Sequence, residues 1–216
     1  MYSSEEEQVA ALKNWWENNG KTLLVSLLIA IAVLVGWRQW SASRLANAAE
    51  ASMVYERMMT AIANLQGVPD EQLAADIRQP AEILRDEYPR TVYAGQAGLA
   101  LARLAVAQGD YDQAKAALND VIRARHTDAL EYTARVRLAR VLVQTGETDA
   151  ALAQLDGNFP SAWAGEVAEV RGDALRLGGR LAEARNAYDS ALEQLQAGDS
   201  ARERVRMKLE DIAPAS

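Results

Sequence analysis

Sixteen consecutive residues, Thr22 to Trp37, carry no charge and lie between Lys21 and Arg38. As a helix rising ~1.5 Å per residue they cover roughly 24 Å, a little short of the ~30 Å hydrocarbon core of a bilayer. Lys21 and Arg38 can extend to the headgroups, and Trp15, Trp16, Trp37 and Trp40 stand where interfacial aromatics belong. With Gln39 and Trp40 included, the pattern predicts a single membrane-spanning helix over residues 22–40. The rival is a cleaved signal peptide ending at Ala46-Asn47-Ala48. The acidic Glu5, Glu6 and Glu7 ahead of the run oppose it, because signal peptides begin with positive charge. Lys13 and Lys21 on one side balance Arg38 and Arg44 on the other, so charge counting leaves the orientation open. Residues 1–21 read as a short polar tail, in which Glu5 to Trp16 is either an interfacial helix or unstructured.

Beyond the anchor, residues 41–216 read as one helical domain. Ala51, Val54, Met58, Ile62 and Leu65 recur at intervals of three and four, which predicts a helix over 41–66 with one apolar stripe. Gly67-Val68-Pro69-Asp70 should end it, with glycine at the C-terminal cap and Asp70 capping the next helix. That second helix spans about 71–87. Pro80 is expected to kink or break it, and Tyr88-Pro89 closes it.

From there the chain repeats. Gln108-Gly109-Asp110-Tyr111, Thr145-Gly146-Glu147-Thr148 and Gly178-Gly179-Arg180-Leu181 each follow an alanine-rich apolar segment. The glycines Gly109, Gly146 and Gly179 lie 37 and 33 residues apart. Each is followed five residues later by an alanine (Ala114, Ala151, Ala184) and nine later by Leu118, Leu155 or Tyr188. Glycine supplies the positive φ that reverses a helical hairpin, and small residues such as Gly98, Ala102, Ala139 and Gly172 let paired helices approach. A period near 34 with this pattern resembles the tetratricopeptide repeat, a helix–turn–helix unit that stacks into a solenoid. The copies are placed at 95–128, 132–164 and 165–198. Asp156-Gly157-Asn158-Phe159-Pro160 should cut short the second helix of the middle copy. A capping helix follows at 199–212, begun by Asp199 or Ser200, with Val205, Leu209 and Ile212 inward and Arg202, Glu203, Arg206 and Lys208 largely outside.

In tetratricopeptide repeats the first helix of each pair lines a concave groove through four inward positions. Carried onto this chain, those positions are Gln96, Leu99, Arg103 and Val106, then Thr133, Val136, Arg140 and Val143, then Glu166, Glu169, Asp173 and Arg176. Arg103 and Arg140 are equivalent, with valine three residues on in both copies. They suit an extended segment or its carboxylates. The competing expectation is a groove partly filled by a neighbouring helix, with the arginines paired to acids of the same chain.

Composition narrows the function class. The 216-residue chain carries a net charge of −7, which opposes nucleic acid as a partner, and it has no cysteine for disulfide, thiolate or Cys-zinc chemistry. His126, the one histidine, is expected in a surface loop between repeats. No glycine-rich phosphate loop follows a strand pattern, no serine occupies a Gly-x-Ser-x-Gly turn, and no ligand cluster has metal spacing. The residues point to a non-catalytic chain without cofactors.

The order of features is itself informative. A short acidic tail with Trp15-Trp16 leads through the anchor to Asp86-Glu87-Tyr88-Pro89. Arg171-Gly172-Asp173-Ala174-Leu175, Glu183-Ala184-Arg185-Asn186-Ala187-Tyr188 and a closing Met207-Lys208-Leu209-Glu210-Asp211-Ile212-Ala213 follow. Over nearly its full length the chain resembles the bacterial ancillary SecYEG translocon subunit family of tetratricopeptide-like inner-membrane proteins. The resemblance implies a cytoplasmic amino terminus and periplasmic repeats. It also implies association with the Sec translocon and with a membrane-anchored periplasmic chaperone of the prolyl-isomerase type, and no catalytic residues. The expected architecture is therefore all-α: one N-terminal transmembrane helix followed by a tetratricopeptide-like hairpin solenoid. Its expected role is to bind partners and emerging, unfolded polypeptides near the translocon. The alternative is a regulatory anchor that sequesters a cytoplasmic envelope-stress signalling protein.

Overall fold

A computed structural model describes residues 3–196 and 200–212. Among these the only regular elements are helices: α1 (Ser3–Ala63), α2 (Glu71–Glu87), α3 (Val92–Ala107), α4 (Tyr111–Ala124), α5 (Asp128–Gln144), α6 (Thr148–Gln154), α7 (Ser161–Leu177), α8 (Leu181–Gln194) and α9 (Ser200–Asp211). The proposed cap Asp199 and the side chains of Glu5, Glu6, Glu7, Trp40, Arg44 and Ala46 lie outside the described residues. The chain divides into two units, one running to Ala49 and one from Glu50 onward.

In the first unit the helix is apolar on every side. Its leucines, isoleucines and valines between Leu23 and Val35 are 43% to 67% exposed, as expected of a surface that has no protein neighbour to cover it. Gln8–Gln39 is long and apolar enough to cross a membrane.

The second unit begins with the last turns of α1, which bury Ala51, Met58, Ala61 and Ile62 against Ile77, Ala81 and Leu84 of α2. α1 stops at Ala63, slightly before the expected 66, and the chain leaves it through Asn64 N–H to Ala61 O and Leu65 N–H to Ile62 O. Asp70 caps α2 by accepting from Leu73 N–H at 2.8 Å. Pro80 does not break that helix. Proline removes one ladder bond, while Ile77, Ala81 and Leu84 stay buried on either side of it and hold the neighbouring turns.

The three pairs α3–α4, α5–α6 and α7–α8 form the helical hairpins. Gly109, Gly146 and Gly179 take φ of 76°, 83° and 74°. Each is followed by the same closing bond, from the next residue's N–H to a carbonyl five positions back: Asp110 to Ala105, Glu147 to Leu142, Arg180 to Leu175. This is the Schellman closure, which only a left-handed residue permits. Gly172 works by close approach instead. A Cβ there would lie 2.4 Å from the Tyr188 ring, which is fully buried beneath it. Leu118, Leu138, Leu155 and Val170 fill the core between hairpins.

The middle hairpin is irregular, as the Gly157 and Pro160 stretch predicts. α6 has seven residues, and two arginines finish what the helix lacks. Arg135 of α5 donates from Nε to Gln154 O at 3.0 Å, and Arg171 of α7 donates to Leu155 O at 2.9 Å. Phe159 packs on Tyr132 at 5.2 Å between ring centres, under the Arg135 guanidinium.

Candidate functional site

Because α3, α5 and α7 are the leading helices of consecutive hairpins, equivalent positions on them line up along one face. The expected quartets land on it unevenly. Arg103, Val106 and Arg140 are exposed, and Gln96, Thr133, Val143, Glu166 and Asp173 are half-buried. Arg176 is exposed at the C-terminal end of α7. Leu99 and Val136, 5% and 1% exposed, correct the expectation of four inward positions per helix. They sit ten residues before the turn glycine, where successive hairpins pack, and both belong to the core. Glu169 occupies the same register and is 2% exposed.

Between α3 and α5 the face opens into a hollow of about 540 Å³. Ala102, Val106, Leu118 and Val141 supply apolar walls, and Arg103, Arg137 and Arg140 supply three guanidinium groups. Arg140 donates to Glu166 Oε1 at 2.6 Å, and Arg103 donates to the Leu65 carbonyl at 3.3 Å. Arg137 makes no hydrogen bond or ion pair among the described residues. Arg137 remains exposed, and the partial desolvation of its guanidinium lowers its pKa from the usual value; Glu166 opposes that shift, while Arg140 and Arg103 add to it. Sequence reasoning missed Arg137 because its equivalents in the other repeats, Ala100 and Val170, carry no charge. The available signal was its spacing three residues before Arg140, which puts both on one helix face.

Along α7 the face is acidic and already covered. Glu169 receives Arg204 in a two-point grip at 2.7 and 2.9 Å, and Lys208 at 2.8 Å. Lys208 also reaches Asp173 at 2.7 Å, whose other oxygen accepts from the Tyr188 hydroxyl at 2.8 Å. Burial alone would raise the Glu169 pKa, but the hydrogen bonds from Arg204 and Lys208 outweigh it and hold it at about 2. Tyr188 is shifted up, by burial first and then by Asp173. Lys208 thus points inward, correcting its expected place on the outer face of the last helix. Arg202 turns back as well, donating to the Leu192 and Leu195 carbonyls. A hollow of about 450 Å³ remains between α5, α7 and α9.

His126 is half-buried rather than exposed, with its ring packed over Gly95. Among the described residues no three His, Asp or Glu side chains gather as metal ligands.

The family model described as tetratricopeptide repeat-like domain matches residues 13–214. The ancillary SecYEG translocon subunit of Escherichia coli (strain K12) is 32% identical over 213 residues, covering 99% of this chain and 98% of that protein. The protein of the same name from Haemophilus influenzae is 29% identical, with 98% and 99% covered. That from Neisseria gonorrhoeae is 27% identical, with 96% and 97% covered. No solved structure matches the chain. With the similarity running through both the apolar helix and the repeats, the chain belongs to the ancillary SecYEG translocon subunit family, built on a tetratricopeptide repeat-like domain.

Proposed function

We propose that this chain is a non-catalytic, membrane-anchored interaction subunit of the Sec translocon in the bacterial inner membrane. Residues 1–21 lie in the cytoplasm and the repeat domain in the periplasm, where it brings a membrane-anchored chaperone of the prolyl-isomerase type to emerging polypeptides. The observation that carries this reading is similarity over 99% of the chain to a protein named for its place beside SecYEG. Among the described residues one helix is long and apolar enough to cross a membrane, which fits the same role. The concave face between α3 and α7, with Arg103 and Arg140 at its open end, is the contact surface for protein partners. The test is affinity purification of the chain from gently solubilised membranes. SecYEG components should co-purify together with a periplasmic chaperone. Recovery of a cytoplasmic signalling protein in their place would instead support the sequestering anchor. Alkaline phosphatase fused after Ser216 should be active, and an inactive fusion would overturn the assigned orientation.

A further inference from the structure

Of the helices longer than ten residues, α9 is fastened least by apolar burial. Only Val205 is fully enclosed, in the cluster around Tyr188, with Leu209 and Ile212 packed at its edge. The rest of its attachment is polar. Arg204 and Lys208 reach Glu169, Lys208 reaches Asp173, and Arg202 reaches the Leu192 and Leu195 carbonyls at the end of α8. The fit is also loose, because the hollow of about 450 Å³ between α5, α7 and α9 stays open beside Val143, Gln144 and Val170. These contacts nevertheless oppose simple lifting of the helix. Glu169 is buried and takes its hydrogen bonds from two side chains that both belong to α9. With α9 gone, that carboxylate loses its counter-charge, and Asp173 keeps only the Tyr188 hydroxyl. The penalty falls away when another pair of cations arrives as α9 departs.

We propose that α9 is a detachable strap over the α7 end of the face, and that a basic amphipathic helix of a partner polypeptide takes its place by exchange. The chemistry of that helix is written in the strap itself. Arg204-Val205 and Lys208-Leu209 repeat a cation followed by an aliphatic residue, four positions apart. On a helix that spacing sets both cations over Glu169 and Asp173 and both aliphatic side chains toward the Tyr188 cluster. A partner helix with a larger side chain beside the cations also fills the hollow that α9 leaves open. An acidic segment is repelled by the same two carboxylates. A helix on the same chain competes at an effective concentration on the order of millimolar, so a free helix of equal affinity binds weakly until the strap is released. This rests on the proposed role of the concave face as a partner surface and adds what controls its α7 end.

The test uses the full chain in nanodiscs of zwitterionic lipid, with a fluorescein-labelled peptide of residues 200–212 as the incoming helix. Arg204→Gln combined with Lys208→Gln loosens the strap while leaving Glu169 and Asp173 in place. Fluorescence anisotropy should show the peptide binding this double variant at least about tenfold more tightly than wild type. A second peptide, with glutamine at the same two positions, should bind neither chain. Limited proteolysis should cut α9 of the double variant first, with the hairpins still protected. Equal binding to the two chains, or equal binding of the two peptides, would overturn the proposal. So would loss of the cooperative melt in the double variant, because a strap must open with the hairpins intact. Translocon co-purification with wild type separates the two readings. Its loss removes the translocon role and leaves the peptide result standing, whereas retained co-purification with equal peptide binding removes only the strap.

Discussion

Between Arg103 and Arg140 the repeat face carries charge that neighbouring side chains leave largely uncompensated, whereas between Glu169 and Asp173 every carboxylate is matched by a cation or a hydroxyl. Asp173 occupies the register of Arg103 and Arg140 on the next leading helix, while Glu169 stands one turn earlier, in the register of the core residues Leu99 and Val136. The difference lies in what the next element brings. α9 follows the last hairpin and lays a bidentate arginine and a lysine onto the acids; among the described residues no corresponding strap reaches α3 and α5. A solenoid face can therefore be covered at one end and available at the other without a change of fold.

The largest effect is expected where the face is filled. Glu169→Gln removes the charge that two cations hold, and it should destabilise the second unit by roughly 3 kcal/mol, read from urea unfolding of the helical signal. Glu169 has its pKa lowered on folding, to about 2 from an ordinary 4.5. Its contribution is therefore complete above about pH 4.5 and is lost as the pH falls toward 2. Wild type and Glu169→Gln should accordingly converge in stability on acidification; a gap that stays constant from pH 7 to pH 3 would mean the pair contributes nothing.

Next comes the ring that orients Asp173. Gly172→Leu drives a side chain into Tyr188 and should cost about 2 kcal/mol or more, with α9 becoming sensitive to protease before the rest of the domain. Gly109→Val has open space around it but must hold φ near 76°, so a smaller loss of ~1 kcal/mol is expected in the same unfolding assay. If both substitutions cost the same, packing against Tyr188 is not what fixes Gly172.

The smallest effect on stability belongs to the open end. Arg103→Ala with Arg140→Ala should change melting by less than ~1 kcal/mol, because Arg140 and Glu166 are both 42% exposed. Crosslinking to translocon or chaperone partners should nevertheless fall. Unchanged crosslinking with an unharmed fold would shift the contact surface to the helix at 41–66.

The hairpin turns were legible in the sequence because a reversal needs positive φ, and glycine at a regular spacing marks that need directly. Gly172 was legible as a small residue where paired helices approach, but that the Tyr188 ring of the same hairpin fills the space is visible only in the structure. The charged groups were not. Lys208 and Arg202 sit on a helix already rich in Glu203, Glu210 and Asp211, a composition that reads as a solvated face. Only the approach of α9 to α7 reveals which cations turn inward. Pro80 leaves α2 unbroken, an outcome that depends on the burial of Ile77 and Ala81 beside it, which the local sequence does not show. Leu99 and Val136 were assigned to an open surface by a repeat pattern that does not record how closely successive hairpins pack.

The shortened α6 bears on how the domain comes apart. A stack of helical hairpins is held by nearest-neighbour contacts and can fray from one end, and a hairpin with half its second helix missing is where such a stack would divide. Here the carbonyls from Gln154 to Asp156 are taken by Arg135 from the hairpin's own first helix and by Arg171 from the hairpin that follows. The Arg135 bonds hold the segment within its own hairpin, and the Arg171 bond is lost if the following hairpin departs. The irregular segment is therefore a cross-tie rather than a seam, fastened to the third hairpin through Arg171, and the two hairpins it joins should unfold together.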